Sequence, residues 1–112
     1  SINQIQEACN TVKDVAEEKY DGDEFFLGYI YYSYAHFLKQ ANDIEMSEKY
    51  ALQAKSLFES MQKTDDIYYL KTLTDLGLLN ISNRDIAINY LNKVKTTLEK
   101  MELILLQVIN FH

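Results

Sequence analysis

The sequence has no proline, only three glycines and a single cysteine. Because proline and glycine are so scarce, the composition excludes collagen-like, linker-like and disordered chains and favours helix. The lone Cys9 excludes an internal disulfide framework and a cysteine-rich zinc site. Residues 1–10 are too polar for a secretory signal, and the apolar run at residues 101–112 is shorter than the roughly 20 residues of a membrane-spanning helix. These absences predict a cytoplasmic protein that does not enter a membrane.

The chain is acidic, with 17 aspartates and glutamates against 11 lysines and arginines and a net charge of -6. A protein that binds the phosphate backbone needs a basic surface. We therefore predict no direct contact with nucleic acid. The length of 112 residues and the 47% share of hydrophobic residues are typical of one globular domain.

Apolar residues recur at three- and four-residue steps along most of the chain, which is the spacing of amphipathic helices. This periodicity predicts an all-α fold of five to six helices. The first helix is expected at residues 2–20. Residues 101–112 are almost continuously apolar and are predicted to start a further, buried helix whose cover is missing, so we expect the chain to be part of a longer protein.

Polar turns separate the predicted helices. Gly22 suits a left-handed stop after the first helix, and Asp23 can cap the second. Asn42 is predicted to cap the third helix, with Glu45 completing a capping box. Candidate caps for the later helices are Thr64, Ser82 and Asn83.

Two helical hairpins of similar pattern follow the first helix. Tyr34-Ala35 aligns with Leu76-Gly77 at an offset of 42 residues, and Ala54 aligns with Val94 at an offset of 40. These offsets predict one repeat at about residues 23–61 and a second at about residues 65–100. Small residues recur where two helices of a hairpin must approach closely: Ala35, Ser47, Ala54, Gly77 and Ala87.

The segments 31–58 and 73–98 resemble the tetratricopeptide repeat (TPR) family, which places a large and then a small residue on the first helix and small residues on the second. The period here is longer than the family's 34 residues, and the family's proline after the second helix is missing. Residues 34–40 followed by residues 47–57 are similar to a repeat of the Gram-positive peptide-sensing regulators of the Rap, NprR and PlcR group.

This resemblance implies a TPR-like α-solenoid of antiparallel helical hairpins. The leading helices would line a concave groove that binds a peptide or a segment of a partner protein. The whole protein would be a bacterial regulator, either a peptide-pheromone-responsive transcriptional regulator or a response-regulator phosphatase. The alternative is a structural scaffold whose repeats mediate self-assembly only.

The aromatic second helix supplies the candidate binding residues. If Ala35 faces the trailing helix, Tyr32, His36 and Lys39 share another face, with Tyr29 one turn earlier. Tyrosine offers contact area with one polar group, and lysine or histidine can meet a peptide carboxylate or carbonyl. The alternative is that Tyr29 and Tyr32 pack against the first helix or the next repeat. Comparable positions on the second leading helix are Lys71, Thr74 and Asp75.

Motifs for catalysis or cofactor binding are missing from the sequence. His36 has no second histidine, cysteine or carboxylate pair one helical turn away. No phosphate-binding glycine loop or zinc signature occurs. We therefore predict a protein that is not an enzyme and binds no metal or cofactor. Its predicted partners are a peptide or protein segment in the groove and a second copy, as a homodimer through the apolar C-terminal helix.

Overall fold

The computed structural model describes residues 1–110, and all regular secondary structure in that range is helical. The predicted all-α class is therefore confirmed. The helices are α1 (Ile2–Lys19), α2 (Glu24–Gln40), α3 (Ile44–Ser60), α4 (Ile67–Leu79) and α5 (Arg84–Asn110).

Aspartate side chains begin three of these helices. Asp23, Asp43 and Asp66 each accept a hydrogen bond from a backbone N–H in the first turn of α2, α3 and α4, which satisfies a donor that the helix itself leaves unpaired. The predicted cap at Asp23 is confirmed, whereas those at Asn42 and Thr64 were wrong. Asn42 adopts a left-handed conformation with φ of 65° in the turn after α2, so the capping position falls on the next residue.

Each helix packs against the next one along the chain, and α2 also contacts α4. Ser47 of α3 lies beside Ala35 of α2, while Ser60 at the other end of α3 lies beside Glu24, so α2 and α3 are antiparallel. α3 and α4 are antiparallel to each other as well. It follows that α2 and α4 run parallel. Within residues 1–110, α1 has no helix contact with α4 or α5, so the helices form an open array and not a closed four-helix bundle.

The small residues that the repeat pattern singles out are all buried. The Ser47 hydroxyl donates a hydrogen bond of 2.7 Å to the carbonyl of Ala35, which joins α3 to α2 where the two backbones are close. In the second hairpin Leu91 of α5 packs directly over Gly77 of α4. Small side chains thus permit the closest approach in both hairpins.

Replacing Gly77 by valine is expected to lower the free energy of unfolding by about 1–3 kcal/mol, because added volume in a packed contact forces its neighbours apart. A Cβ atom at Gly77 would lie 2.9 Å from Cγ and from Cδ2 of Leu91. Urea denaturation measures the loss. Adding Leu91→Ala removes the clashing atoms. The double variant should therefore lose less free energy of unfolding than the two single variants lose in sum. Purely additive losses would contradict this contact.

The core fills the space between α2, α3 and α4, with α1 and α5 covering its two sides. Tyrosines contribute much of it, and their hydroxyl groups reach polar side chains at the edge of the core. The buried core residues are Leu27, Tyr31, Tyr34, Ala35, Leu38, Tyr50, Ala51, Ala54, Phe58, Tyr69, Leu70, Leu73 and Leu76.

Helix α5 is a single helix of 27 residues, where the sequence pattern predicts a fifth helix and then a further one from residue 101. The break does not occur because residues 99–103 contain only good helix formers and neither glycine nor a capping residue. The second half of α5, residues 98–110, is called the overhang below. None of the five helices in the described part of the chain has the length and apolarity to cross a lipid bilayer.

Candidate functional site

Three tyrosines from the two parallel helices form a row of rings. The rings of Tyr29 and Tyr68 meet edge to face with centroids 4.8 Å apart, and the ring of Tyr32 lies 5.8 Å from that of Tyr68. Such pairs stabilise one another beyond the area that they bury. All three rings stay partly exposed, so the row combines a fixed geometry with an accessible aromatic surface.

A buried carboxylate joins α2 to α4 at the end of this row. Asp75 is only 6% exposed, and its two oxygens accept hydrogen bonds from His36 Nδ1 at 2.8 Å and from Lys39 Nζ at 3.0 Å. Because a carboxylate only accepts, the proton of the His36 ring must sit on Nδ1 in this pair. A buried charge needs such partners, so the contact fixes the orientation of both α2 side chains.

Lys71 adds a second cation to the same surface. The ammonium of Lys71 lies 5.7 Å from the centroid of the Tyr68 ring, a distance at which the ring face attracts a cation. Lys71 is exposed and has no carboxylate within ion-pair distance among the described residues. Its charge is therefore available to a ligand, whereas the charge of Lys39 is offset by Asp75.

We call this surface the tyrosine face. It consists of Tyr29, Tyr32, His36, Lys39, Tyr68 and Lys71.

The hydroxyl of Tyr32 remains neutral at this surface. Burial is the main cause that raises the pKa of Tyr32 above its usual value, and the negative charge of Asp75 raises it further. A phenol that keeps its proton can donate a hydrogen bond to a carbonyl or carboxylate. The ring of His36 lies 5.8 Å from that of Tyr32, so the two side chains are neighbours on this surface.

The structure brings most of the predicted site residues together. Tyr29, Tyr32, His36 and Lys39 share one face of α2, and Lys71 lies beside them on α4. Tyr29 and Tyr32 also pack against α4, so the alternative of contact with the next hairpin is partly realised, although both rings keep exposed area.

The other two predicted residues, Thr74 and Asp75, make hydrogen bonds within the protein. The hydroxyl of Thr74 donates to the carbonyl of Leu70 within α4. Asp75 is buried with both oxygens occupied, so it positions His36 and Lys39 and presents no free oxygen to a ligand. The burial of Asp75 follows from the packing of α4 on α2.

Sequence reasoning missed Tyr68, the centre of the aromatic row. A signal was present, since Tyr68 precedes Lys71 by three residues and Asp75 by seven, which places all three on one side of a helix. The pattern alone does not say that this side meets α2.

The tyrosine face is suited to binding. Aromatic rings provide area at little cost in side-chain entropy, and the cations and the phenol can fix the orientation of a polar group. Comparisons with protein-family models, with curated proteins and with solved structures give no match for this chain.

Proposed function

We propose that this chain is a TPR-like domain that binds a peptide or a protein segment on the tyrosine face. The main observation in support of this proposal is that α2 and α4 run parallel and together present three partly exposed tyrosine rings with His36, Lys39 and Lys71. Tyrosine is enriched among the residues that contribute most to binding where proteins bind other proteins.

The packing of the hairpins supports the repeat interpretation. In a solenoid each helical pair contacts its neighbours, and equivalent helices lie side by side. Here α2 and α4 are equivalent in the repeat alignment and lie in contact, and the small residues at the hairpin contacts are buried. On this interpretation the tyrosine face lies on the leading helices, where such repeats would bind their ligands.

The chemistry of the face favours an extended ligand with apolar side chains and a carboxylate. Apolar groups would pack on the rings of Tyr29, Tyr32 and Tyr68. The carboxylate, at the peptide's end or on an acidic side chain, would approach the ammonium of Lys71, whose charge is not paired with a carboxylate in residues 1–110. At cellular ionic strength the net charge of the whole chain is largely screened beyond about 8 Å, so this local cation outweighs it.

We further propose that the whole protein is a cytoplasmic regulator of a Gram-positive bacterium, as its resemblance to the Rap, NprR and PlcR group implies. The ligand would then be a signalling peptide. A DNA-reading or phosphatase-type module would belong to another part of that protein, and the chain itself would act by binding and not by catalysis.

Amide chemical shifts of the isotope-labelled protein test this function. The probe is a pool of short synthetic peptides that carry aromatic or aliphatic side chains and a free C-terminal carboxylate. Binding should shift the amides of Tyr29, Tyr32, His36, Tyr68 and Lys71 together. Tyr32→Ala should weaken binding about 30-fold, as expected for an aromatic residue at the centre of an interface. Shifts confined to α1 or α3 would contradict the proposed site.

The matched pair Lys71→Met and Lys49→Met isolates the role of the free cation. Each lysine lies over a tyrosine ring, Lys71 over Tyr68 at 5.7 Å and Lys49 over Tyr50 at 5.4 Å, but Lys49 is on α3 and away from the tyrosine face. Lys71→Met should weaken the binding of peptides with a free C-terminal carboxylate by about threefold to fivefold. It should leave the binding of the same peptides with a C-terminal amide unchanged. Lys49→Met should change the binding of neither kind of peptide. Equal effects of the two substitutions would show that general charge, and not the site, controls binding.

A scaffold that only self-assembles is the second candidate, and the exposed overhang of α5 favours it. This function predicts association of the chain without any response to peptides at the tyrosine face. The peptide titration therefore separates the two candidates, since only the first requires shifts on α2 and α4.

A further inference from the structure

The second half of α5 extends beyond the helix on which its first half packs. α5 has 27 residues and α4 has 13, so at about 1.5 Å per residue α5 is longer by about 20 Å. All residues from 101 to 110 are exposed. The overhang is thus a helical rod that the described part of the chain leaves uncovered.

The apolar stripe that packs α5 onto α4 continues along the overhang. Ala87, Leu91 and Val94 are buried or half-buried on the α4 side. The same three- and four-residue spacing continues through Leu98, Met101, Leu105 and Val108. Leu103, Ile104, Leu106 and Ile109 add further exposed apolar side chains beside and opposite this stripe, and polar residues take only five of the 13 positions of the overhang. A helix with so broad an apolar surface is normally buried against another element.

We propose that residues 98–110 form the interface of a homodimer, in which the overhangs of two copies pack antiparallel around a twofold axis. The eight apolar side chains of one overhang are each between 42% and 61% exposed, and a stable interface of standard size buries about 800 Å² on each partner, so the dimer must cover most of this apolar surface. A twofold axis makes the contact self-complementary, so one apolar surface serves both copies. This inference is independent of the proposed peptide binding.

The shape of the overhang gives the second copy a place to fit. A groove of about 570 Å³ runs between the overhang and the turn before α4, lined by Asp65, Met101, Glu102, Ile104, Leu105 and Val108. Side chains of the second copy's overhang can enter this groove. In the same way, side chains of the first copy's overhang can enter the groove of the second copy. Contact on two sides covers more of the rod than a simple pair of helices would.

Charge explains why a second copy, in antiparallel orientation, fits better than a charged partner. The overhang carries Glu99, Glu102 and Lys100, so its charges nearly cancel and offer little to a strongly basic or acidic protein. The chain as a whole has a net charge of -6, and repulsion between two such bodies opposes association. Antiparallel overhangs place the two bodies at opposite ends of the interface, which keeps this repulsion low.

Sedimentation equilibrium of the whole chain over a wide range of concentration tests the dimer. We expect a mass of twice 13.1 kDa that dissociates on dilution. Leu105→Glu, at a side chain 58% exposed in one copy, places two charges in the interface and should raise the dissociation constant about 100-fold. The matched control Val15→Glu, on the outer side of α1 and 46% exposed, should leave the dimer intact.

Circular dichroism of both variants checks that they remain folded, which is expected because neither side chain belongs to the core. A chain that stays monomeric at its highest attainable concentration would overturn the proposal. A dimer that Leu105→Glu does not weaken would overturn it as well, because another surface would then hold the two copies together.

Discussion

Replacing Phe58 by alanine is expected to lower the free energy of unfolding by about 3–5 kcal/mol, the usual cost of removing a fully buried aromatic ring. Phe58 is 0% exposed and lies where α2, α3 and α4 meet. Its ring packs edge to face against Phe25 of α2, approaches Tyr69 of α4 and lies over Gly28. The cavity left by alanine would adjoin three helices at once, so no single side chain can close it.

The matched control is Phe26→Ala, since Phe26 lies on α2 next to Phe25 but is 41% exposed. It should cost less than about 1 kcal/mol, because most of its ring already contacts solvent and leaves no enclosed cavity. Urea denaturation of both variants and the parent gives the comparison. Equal losses for the two substitutions would contradict the arrangement of the three helices around Phe58.

The position of Phe58 illustrates which part of the fold the sequence can predict. The residues Tyr50, Ala51, Ala54 and Phe58 follow one another at the spacing of a single helix face, and all four are buried. Such periodicity depends only on local geometry, so it identifies helices and their inward faces without knowledge of the neighbours. The same holds for the small residues of the hairpin contacts, such as Ala35 and Gly77.

Helix ends were less predictable because a cap depends on the conformation of one residue. Asn42 and Asp43 are both good capping residues, and only the left-handed conformation of Asn42 decides that Asp43 begins α3. The continuity of α5 has a related cause. A change from an amphipathic to an almost continuously apolar pattern near residue 101 indicates a change of surroundings, not a break in the helix.

The candidate site was predictable on each helix but not across the two. Spacing alone groups Tyr32, His36 and Lys39 on one face of α2. The burial of Asp75 depends on the register of α4 against α2, which places its carboxylate within 3.0 Å of both His36 and Lys39. Register between helices is a property of tertiary packing, and a single sequence carries no direct signal for it.

The second large effect is a steep loss of stability at alkaline pH, which originates in buried tyrosines. The hydroxyl of Tyr31 donates to Glu17 and that of Tyr69 donates to Glu59, each at 2.7 Å. Burial, followed by these hydrogen bonds and the charge of the carboxylates, raises the pKa of both phenols well above the usual 10.0. Burial likewise raises the pKa of Tyr34, with the nearby Tyr50 as a further cause.

Lys13 at the contact of α1 with the tyrosine-rich core acts in the same direction. Burial by itself would lower the pKa of Lys13, but hydrogen bonds with Asp14, Tyr50 and Glu17 outweigh it and raise the pKa above the usual 10.5. The folded protein therefore holds this proton, like those of the tyrosines, at pH values where the unfolded chain releases it.

The sign of the effect follows from these bound protons. Below about pH 10 both states keep the protons and stability is fully present. Above that pH the unfolded chain loses them first, so it is favoured, and stability falls until the pH passes the raised values of the folded state. Each such group contributes up to about 1.4 kcal/mol per pH unit, so several together should unfold the protein within a narrow alkaline range.

Urea denaturation between about pH 8 and about pH 11 measures this slope. The double variant Tyr31→Phe with Tyr69→Phe lacks two of the groups and should lose stability less steeply above about pH 10. Leu73→Val, at a fully buried core position, lowers stability at every pH and should leave the slope of the parent unchanged. A parent whose stability stays constant up to about pH 11, or a double variant with the full slope, would contradict the role of these phenols in holding α1 to α2 and α3 to α4.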